Sequence, residues 1–220
     1  MADIAAQSVK ALRDATGAGM MDAKRALVEA DGDHEAAAQA LREKGLAKAA
    51  GRSDRDNTEG AIGLAATIDR ASLVHLRCET DFSAKSDGFV SLVDELASSV
   101  LEEGETALEA RTATLDDLRL STKENCEVGR VALVEAAAGN LVDTYLHRQD
   151  GRGVNGVVVE ASGIDQETLH QIALHIAFAK PTALSRDEVP PNLVETERAA
   201  LLDITKAEGK PEQAWDKIVE

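Results

Sequence analysis

The sequence predicts an α+β protein, with helices gathered toward both ends and antiparallel strands between them. Three observations predict it. Apolar residues recur at helical spacing through residues 1 to 50 and again through 165 to 179. Five short strand-like runs lie between those stretches: Ala61 to Ile68, Leu73 to Cys78, Val128 to Val134, Leu141 to His147 and Val154 to Glu160. Finally, Pro190-Pro191 and Glu208-Gly209-Lys210-Pro211 frame a closing pair of helical arms.

The first fifty residues read as three short helices. Ala5, Val9 and Leu12 share one face, and Thr16-Gly17-Ala18-Gly19 breaks the first helix. A second helix runs from about Met20 with Ala23, Ala26, Leu27 and Ala30 inward. Asp33 is placed to cap a third helix by accepting bonds from its free amides. Ala37 and Leu41 face in, and Gly45 is expected at that helix's end. Residues 51–60 are polar and without pattern, as in a linker.

A hairpin follows, its strands joined by Asp69-Arg70. In its second strand Val74, Leu76 and Cys78 point one way while Leu73, His75 and Arg77 point the other. A helix from Asp87 to Glu102 carries the stripe Phe89, Leu92, Val93 and Leu96, and a more polar helical stretch covers 114 to 125. The next three strands are expected as a β-meander, with Gly139-Asn140 turning the first pair. The helix over 165 to 179 sets Leu169, Ile172, Ala173, Ile176 and Ala177 inward and stops at Pro181. Residues 187 to 220 form the helical hairpin, with Val194, Leu201 and Ile204 on one arm and Trp215, Ile218 and Val219 on the other.

Charge excludes several kinds of partner. The chain has 24 basic and 40 acidic residues, a net −16 with His neutral. That balance argues against backbone-tracking nucleic-acid binding and against an anionic lipid surface. It favours attraction to a protein with basic patches. Cys78 and Cys126 sit among apolar residues and read as small buried hydrophobes of a reducing cytoplasm. Neither a secretory leader nor a run of about 20 apolar residues is visible.

Covalent chemistry finds no support. His34, His75, His147, His170 and His175 are not at metal-ligand spacing, so no metal or cofactor is expected. No phosphate-binding glycine loop with a following Lys-Ser/Thr and no nucleophile elbow is present. Two segments stand out instead. In Thr16-Gly17-Ala18-Gly19-Met20-Met21, paired methionines beside a glycine turn suit an adaptable binding patch, or else they plug the small helical core. In Thr80-Asp81-Phe82-Ser83-Ala84-Lys85, an aromatic at a strand's end projects as a rigid anchor, or else folds back under the helix at 87. Pattern alone leaves both choices open.

Leu12-Arg13-x-x-Thr16-Gly17-Ala18-Gly19-Met20-Met21-Asp22-x-Lys24-x-Ala26-Leu27 resembles the amino-terminal signature of the elongation factor Ts family, and Thr80-Asp81-Phe82-x-Ala84-Lys85 resembles its second signature. His175-Ile176-Ala177 with Lys180-Pro181, and Glu208-Gly209-Lys210-Pro211, are similar to later family segments. The resemblance implies a ubiquitin-associated-like three-helix head at 1–50, a linker at 51–60, an α+β core with antiparallel strands at 61–182 and a helical hairpin at 183–220. It also implies guanine-nucleotide exchange on the GTPase elongation factor Tu, without enzyme chemistry. Lys10, Arg13, Met20 and Met21 would dock the head on the GTPase. Thr80, Asp81, Phe82 and Ser83 would enter its switch region and disturb its Mg²⁺ and phosphate site. His147 matches a further contact position.

Two departures from the family pattern stand out: Ser83 replaces a usual Val, and Ala23 a frequent Cys. Longer relatives continue past the position of Glu220, so a homodimer through 187–220 is expected to be weakened. A competing reading is an adaptor for ubiquitin-like or nascent chains that uses only the three-helix head.

Overall fold

The computed structural model describes residues 4–219. Residues up to Ala177 form one compact unit and those from Phe178 a second.

The first unit opens with α1 (Ala6–Thr16), α2 (Met20–Glu29) and α3 (His34–Ala50), closed around Val9, Leu12, Ala23, Ala26, Leu27 and Ala37. Ala5 is exposed rather than inward, because it is the N-cap that precedes α1. Gly17 ends α1 in the left-handed conformation, at φ 66°, and its amide donates to the Arg13 carbonyl. Asp33 caps α3 by accepting from the amides of Glu35 and Ala36.

Gly45 does not end α3, which runs on to Ala50. A Cβ at Gly45 would overlap the Leu120 side chain, so the glycine marks a close crossing rather than a stop. The crossing helix is α7 (Thr112–Thr122), and an Arg42–Asp117 ion pair ties the two. The segment expected as a linker is also held. The Asn125 amide donates to the carbonyls of Ser53 at 3.1 Å and Arg55 at 2.8 Å, and Asn57 is buried.

β1 (Glu59–Ala66) and β2 (Arg70–Cys78) form the expected hairpin. Its tip is Ile68-Asp69, because the Thr67 amide bonds the Arg70 carbonyl at 2.8 Å and Arg70 already belongs to β2. β2 leads through α4 (Asp81–Ala84) into α5 (Asp87–Glu103), then α6 (Ala107–Ala110) and α7. The period-two reading of β2 holds: Val74, Leu76 and Cys78 are fully buried with Phe89, Val93, Leu96 and Val100 of α5. The buried Ser72 hydroxyl donates to the Ala97 carbonyl at 2.6 Å, which satisfies a group that burial would otherwise penalise. A Cβ on Gly63 of β1 would overlap the Val93 carbonyl, so β1 and α5 sit at glycine distance.

The expected meander is not formed. β3 (Glu127–Glu135) pairs antiparallel with β2, giving the order β1-β2-β3. β4 (Leu141–Gln149) and β5 (Arg152–Ala161) make a separate hairpin. The reason is that β2 offers β3 a free edge, and ion pairs Arg70–Glu135 and Arg77–Glu127 close both ends of that ladder. Gly139-Asn140 therefore turns the chain from one sheet to the other.

The β4–β5 hairpin lies on the sheet face away from α5, where Gly156 meets Leu73 and Ile62 and Gly153 meets the Ile62 carbonyl. Its tip is Asp150-Gly151, with φ of 52° and 81°, the twist a two-residue hairpin favours. α8 (Gln166–Ala179) covers this hairpin with Ala173 and Ala177 against Val157, and its Leu169 is buried as well. Ile172, expected inward, is 41% exposed, because the small Ala173 and Ala177 make the close contact instead.

In the second unit Pro191 opens α9 (Pro191–Ala207), and Gly209, at φ 70°, turns the chain toward α10 (Trp215–Val219). The turn is held by the Trp215 indole donating to the Lys210 carbonyl at 2.9 Å, with the Lys206 ammonium 5.2 Å from the ring centre. No helix among the described residues is long and apolar enough to cross a membrane.

Candidate functional site

The segment after β2 is a small, strongly tied helix rather than a loose turn. Thr80 is its N-cap: its hydroxyl accepts from the Ser83 amide at 3.3 Å, and its carbonyl accepts from the Ala84 amide. Ala84 is fully buried under the turn, and Ser86 caps α5 in the next step by accepting from the Phe89 amide. The two phenylalanines of this stretch have opposite fates. Phe89 is the largest fully buried side chain, whereas Phe82 is 84% exposed. Of the two readings left open by pattern, the structure takes projection.

What fixes α4 comes from 41 to 45 residues downstream. α7, expected to reach 125, stops at Thr122 because Lys123 turns left-handed at φ 59°. That turn aims the Glu124 carboxylate at α4. One oxygen accepts from the amides of Glu79 and Thr80, both at 3.1 Å. The other accepts from the hydroxyls of Thr80 and Ser83, both at 2.6 Å. Burial works to raise the Glu124 pKa, but the bonds from Ser83 and Thr80 outweigh it and the net shift is downward. The Glu79 carboxylate returns the tie by accepting from the Asn125 amide at 2.6 Å.

A second set of charges secures the far side. Lys85 bridges Asp81 at 2.8 Å and Asp150, at the tip of the β4–β5 hairpin, at 3.3 Å. The hydrogen bond from Lys85 holds the Asp81 carboxyl below its ordinary range. The hairpin tip therefore lies beside α4. His147, on β4 near that tip, is exposed and stacks on Tyr145 at 6.4 Å between ring centres.

The head presents its own surface. Met20 is 45% and Met21 68% exposed at the start of α2, so they do not plug the core. Lys10 is exposed, and the half-exposed Arg13 guanidinium is held by neighbouring Asp14. No hydrogen bond or ion pair among the described residues joins these four to α4. The buried Cys78 thiol donates to the Thr80 carbonyl at 3.2 Å, and burial pushes its pKa up to about 12 and raises that of Cys126 as well, so neither thiol is reactive. No group of three potential metal-ligating side chains is found among the described residues.

Glu124, Glu79, Asn125 and Asp150 were not legible as site residues. Each acts across a gap in sequence, and no local pattern marks an acid after a helix as a staple for a distant turn.

The family model for elongation factor TS matches residues 79–220. The elongation factor Ts of Clavibacter michiganensis subsp. michiganensis is 44% identical over 230 aligned positions, covering 100% of this chain and 83% of the relative. That of Cutibacterium acnes is 43% identical, covering 99% of this chain and 82% of the relative. That of Ruegeria sp. is 43% identical, with 99% and 77% covered. The class these matches define is a translation elongation factor, a component of protein biosynthesis. More narrowly, the chain belongs to the elongation factor Ts family.

Proposed function

We propose that this chain is a guanine-nucleotide exchange factor that binds elongation factor Tu in the cytoplasm and speeds the loss of its GDP. The observation that carries the reading is Phe82, an 84% exposed aromatic on a turn tied at both flanks. A side chain of that size left in water gains from entering a partner, and its fixed base loses little freedom on doing so. The head acts as a ubiquitin-associated-like docking module through Lys10, Arg13, Met20 and Met21. Thr80, Asp81, Phe82 and Ser83 enter the switch region, with His147 as a further contact. Phe82 pushes between side chains there and loosens the metal that neutralises the diphosphate.

The energetics are a linkage. A factor that binds the empty GTPase better than the loaded one must weaken GDP binding by the same factor. Each tenfold gain in release rate needs about 1.4 kcal/mol off the barrier. Weakening the charge neutralisation of a diphosphate can supply several such increments. The test is release of a fluorescent GDP from purified elongation factor Tu, with and without the chain, at high and low Mg²⁺. Acceleration that is greatest at high Mg²⁺ supports the reading. An unchanged release rate with the partner bound sinks it.

A further inference from the structure

We propose that Glu124 is the positioning residue of the Phe82 wedge, and that Ser83 is part of the same device. The inference rests on the exchange reading and deepens it. α4 cannot aim the side chain by itself. Asp81–Ala84 is a single turn, too short to hold its own geometry, because the first turn of a helix costs more order than its one or two bonds return. Something outside it must fix the direction of the Phe82 side chain.

The Glu124 carboxylate is placed to do so. It accepts two backbone amides, from Glu79 and Thr80, at the strand end, and two hydroxyls, from Thr80 and Ser83, across the turn. These partners flank Phe82 on both sides in sequence. A carboxylate that accepts four donors uses nearly all its lone-pair sites, and bonds to an ionised acceptor are the strong kind. Rotation of α4 about the strand end breaks them together.

Ser83 gives the arrangement a feature of its own. A valine of similar size at this place would contribute packing but no donor. Here the hydroxyl adds the fourth bond at 2.6 Å. Glu124 bonds Glu79, Thr80 and Ser83 and makes no hydrogen bond to Phe82 itself, so it acts through the turn.

The test compares Glu124→Ala, Glu124→Gln and Ser83→Ala with the parent, each also in a Phe82→Ala background. Two quantities are measured: the maximal GDP release rate and the affinity for nucleotide-free elongation factor Tu. Glu124→Ala is expected to lower the maximal rate roughly tenfold, while affinity changes by less than about threefold, since the head still docks. Ser83→Ala, which leaves both amide bonds intact, falls between it and the parent. In the Phe82→Ala background Glu124→Ala and Glu124→Gln add nothing, because there is no wedge left to aim. Equal losses with and without Phe82, or a full rate from folded Glu124→Ala, overturn the proposal.

Should Glu124→Ala not fold, Glu124→Gln and Ser83→Ala carry the comparison. Backbone amide exchange at Thr80 to Ser83 gives a readout independent of nucleotide release. It is expected to speed up in Glu124→Gln and Ser83→Ala, and unchanged protection counts against the staple. A parent chain that fails to release GDP at all defeats the exchange reading alone, and amide exchange still decides the staple.

Discussion

Phe82→Ala separates a projecting anchor from a core residue by magnitude. A buried Phe in this chain, such as Phe89 at 0% exposure, is expected to cost about 3–5 kcal/mol on truncation. Phe82 is 84% exposed, so only about a sixth of its surface contributes burial. With full burial of a Phe worth about 1.5–3 kcal/mol, that sixth amounts to roughly 0.2–0.5 kcal/mol. For a chain of 220 residues, about 1 kcal/mol moves the melting midpoint by ~2–4 °C. Phe82→Ala should therefore melt within about 2 °C of the parent, while Phe89→Ala melts at least ~6 °C lower. The functional effect runs the other way. GDP release promoted by Phe82→Ala should fall sharply at high Mg²⁺, with a smaller loss of binding. The deficit should shrink when Mg²⁺ is chelated, because the metal the wedge loosens is then gone. The assay pairs a thermal melt with stopped-flow GDP release at both Mg²⁺ levels. A large drop in the melt, or normal exchange at high Mg²⁺, refutes the reasoning.

Further outcomes follow from the packing and the titrating groups. Gly63→Ala should destabilise by about 1–3 kcal/mol, because the new methyl meets the Val93 backbone and α5 must lift from β1; a denaturant midpoint checks it. His75 has its pKa lowered by burial and then by Arg77 and Arg130, so its neutral form is the folded one. The stability it supplies is complete above its ordinary value of 6.5 and drains away as pH falls below that toward the depressed value. His75→Gln should flatten the melting midpoint over that range. Both cysteines should resist alkylation in the folded chain and react once it is unfolded, as a thiol-labelling time course with and without denaturant would show.

The parts legible in the sequence are those whose cause is local. The Val9–Leu12 face, the Asp33 cap, the Phe89-Leu92-Val93-Leu96 stripe and the turn at Gly209 each depend on neighbours within a few positions, and each is present. The alternation in β2 was readable for the same reason. Strand partnership was not, because a strand's own pattern states which face is buried and says nothing of which edge is taken. β3 carried as good a match to β4 as to β2, and only the assembled sheet decides. Gly45 misled because a glycine that permits a helix crossing looks the same as one that ends a helix. At the site, the exposed Phe82 was one of two open readings. Glu124 gave no signal at all, since its role exists only once residues 41 or more positions upstream stand beside it.

The position of Glu124 has a consequence for the order in which the chain acquires its working form. Glu124 lies three positions ahead of the start of β3, and β3 reaches β2 only by closing a loop of about fifty residues, as the pairing of Arg77 with Glu127 shows. Closing such a loop costs chain entropy before any contact repays it, which makes this pairing a late event relative to the helices and the β1–β2 hairpin. The turn that carries Phe82 is thus adjacent in sequence to an early hairpin but held by a late long-range strand pairing. A nascent or partly refolded chain has Phe82 without its support. Recovery of exchange activity after dilution from denaturant should accordingly trail the return of helical signal and coincide with completion of the central sheet.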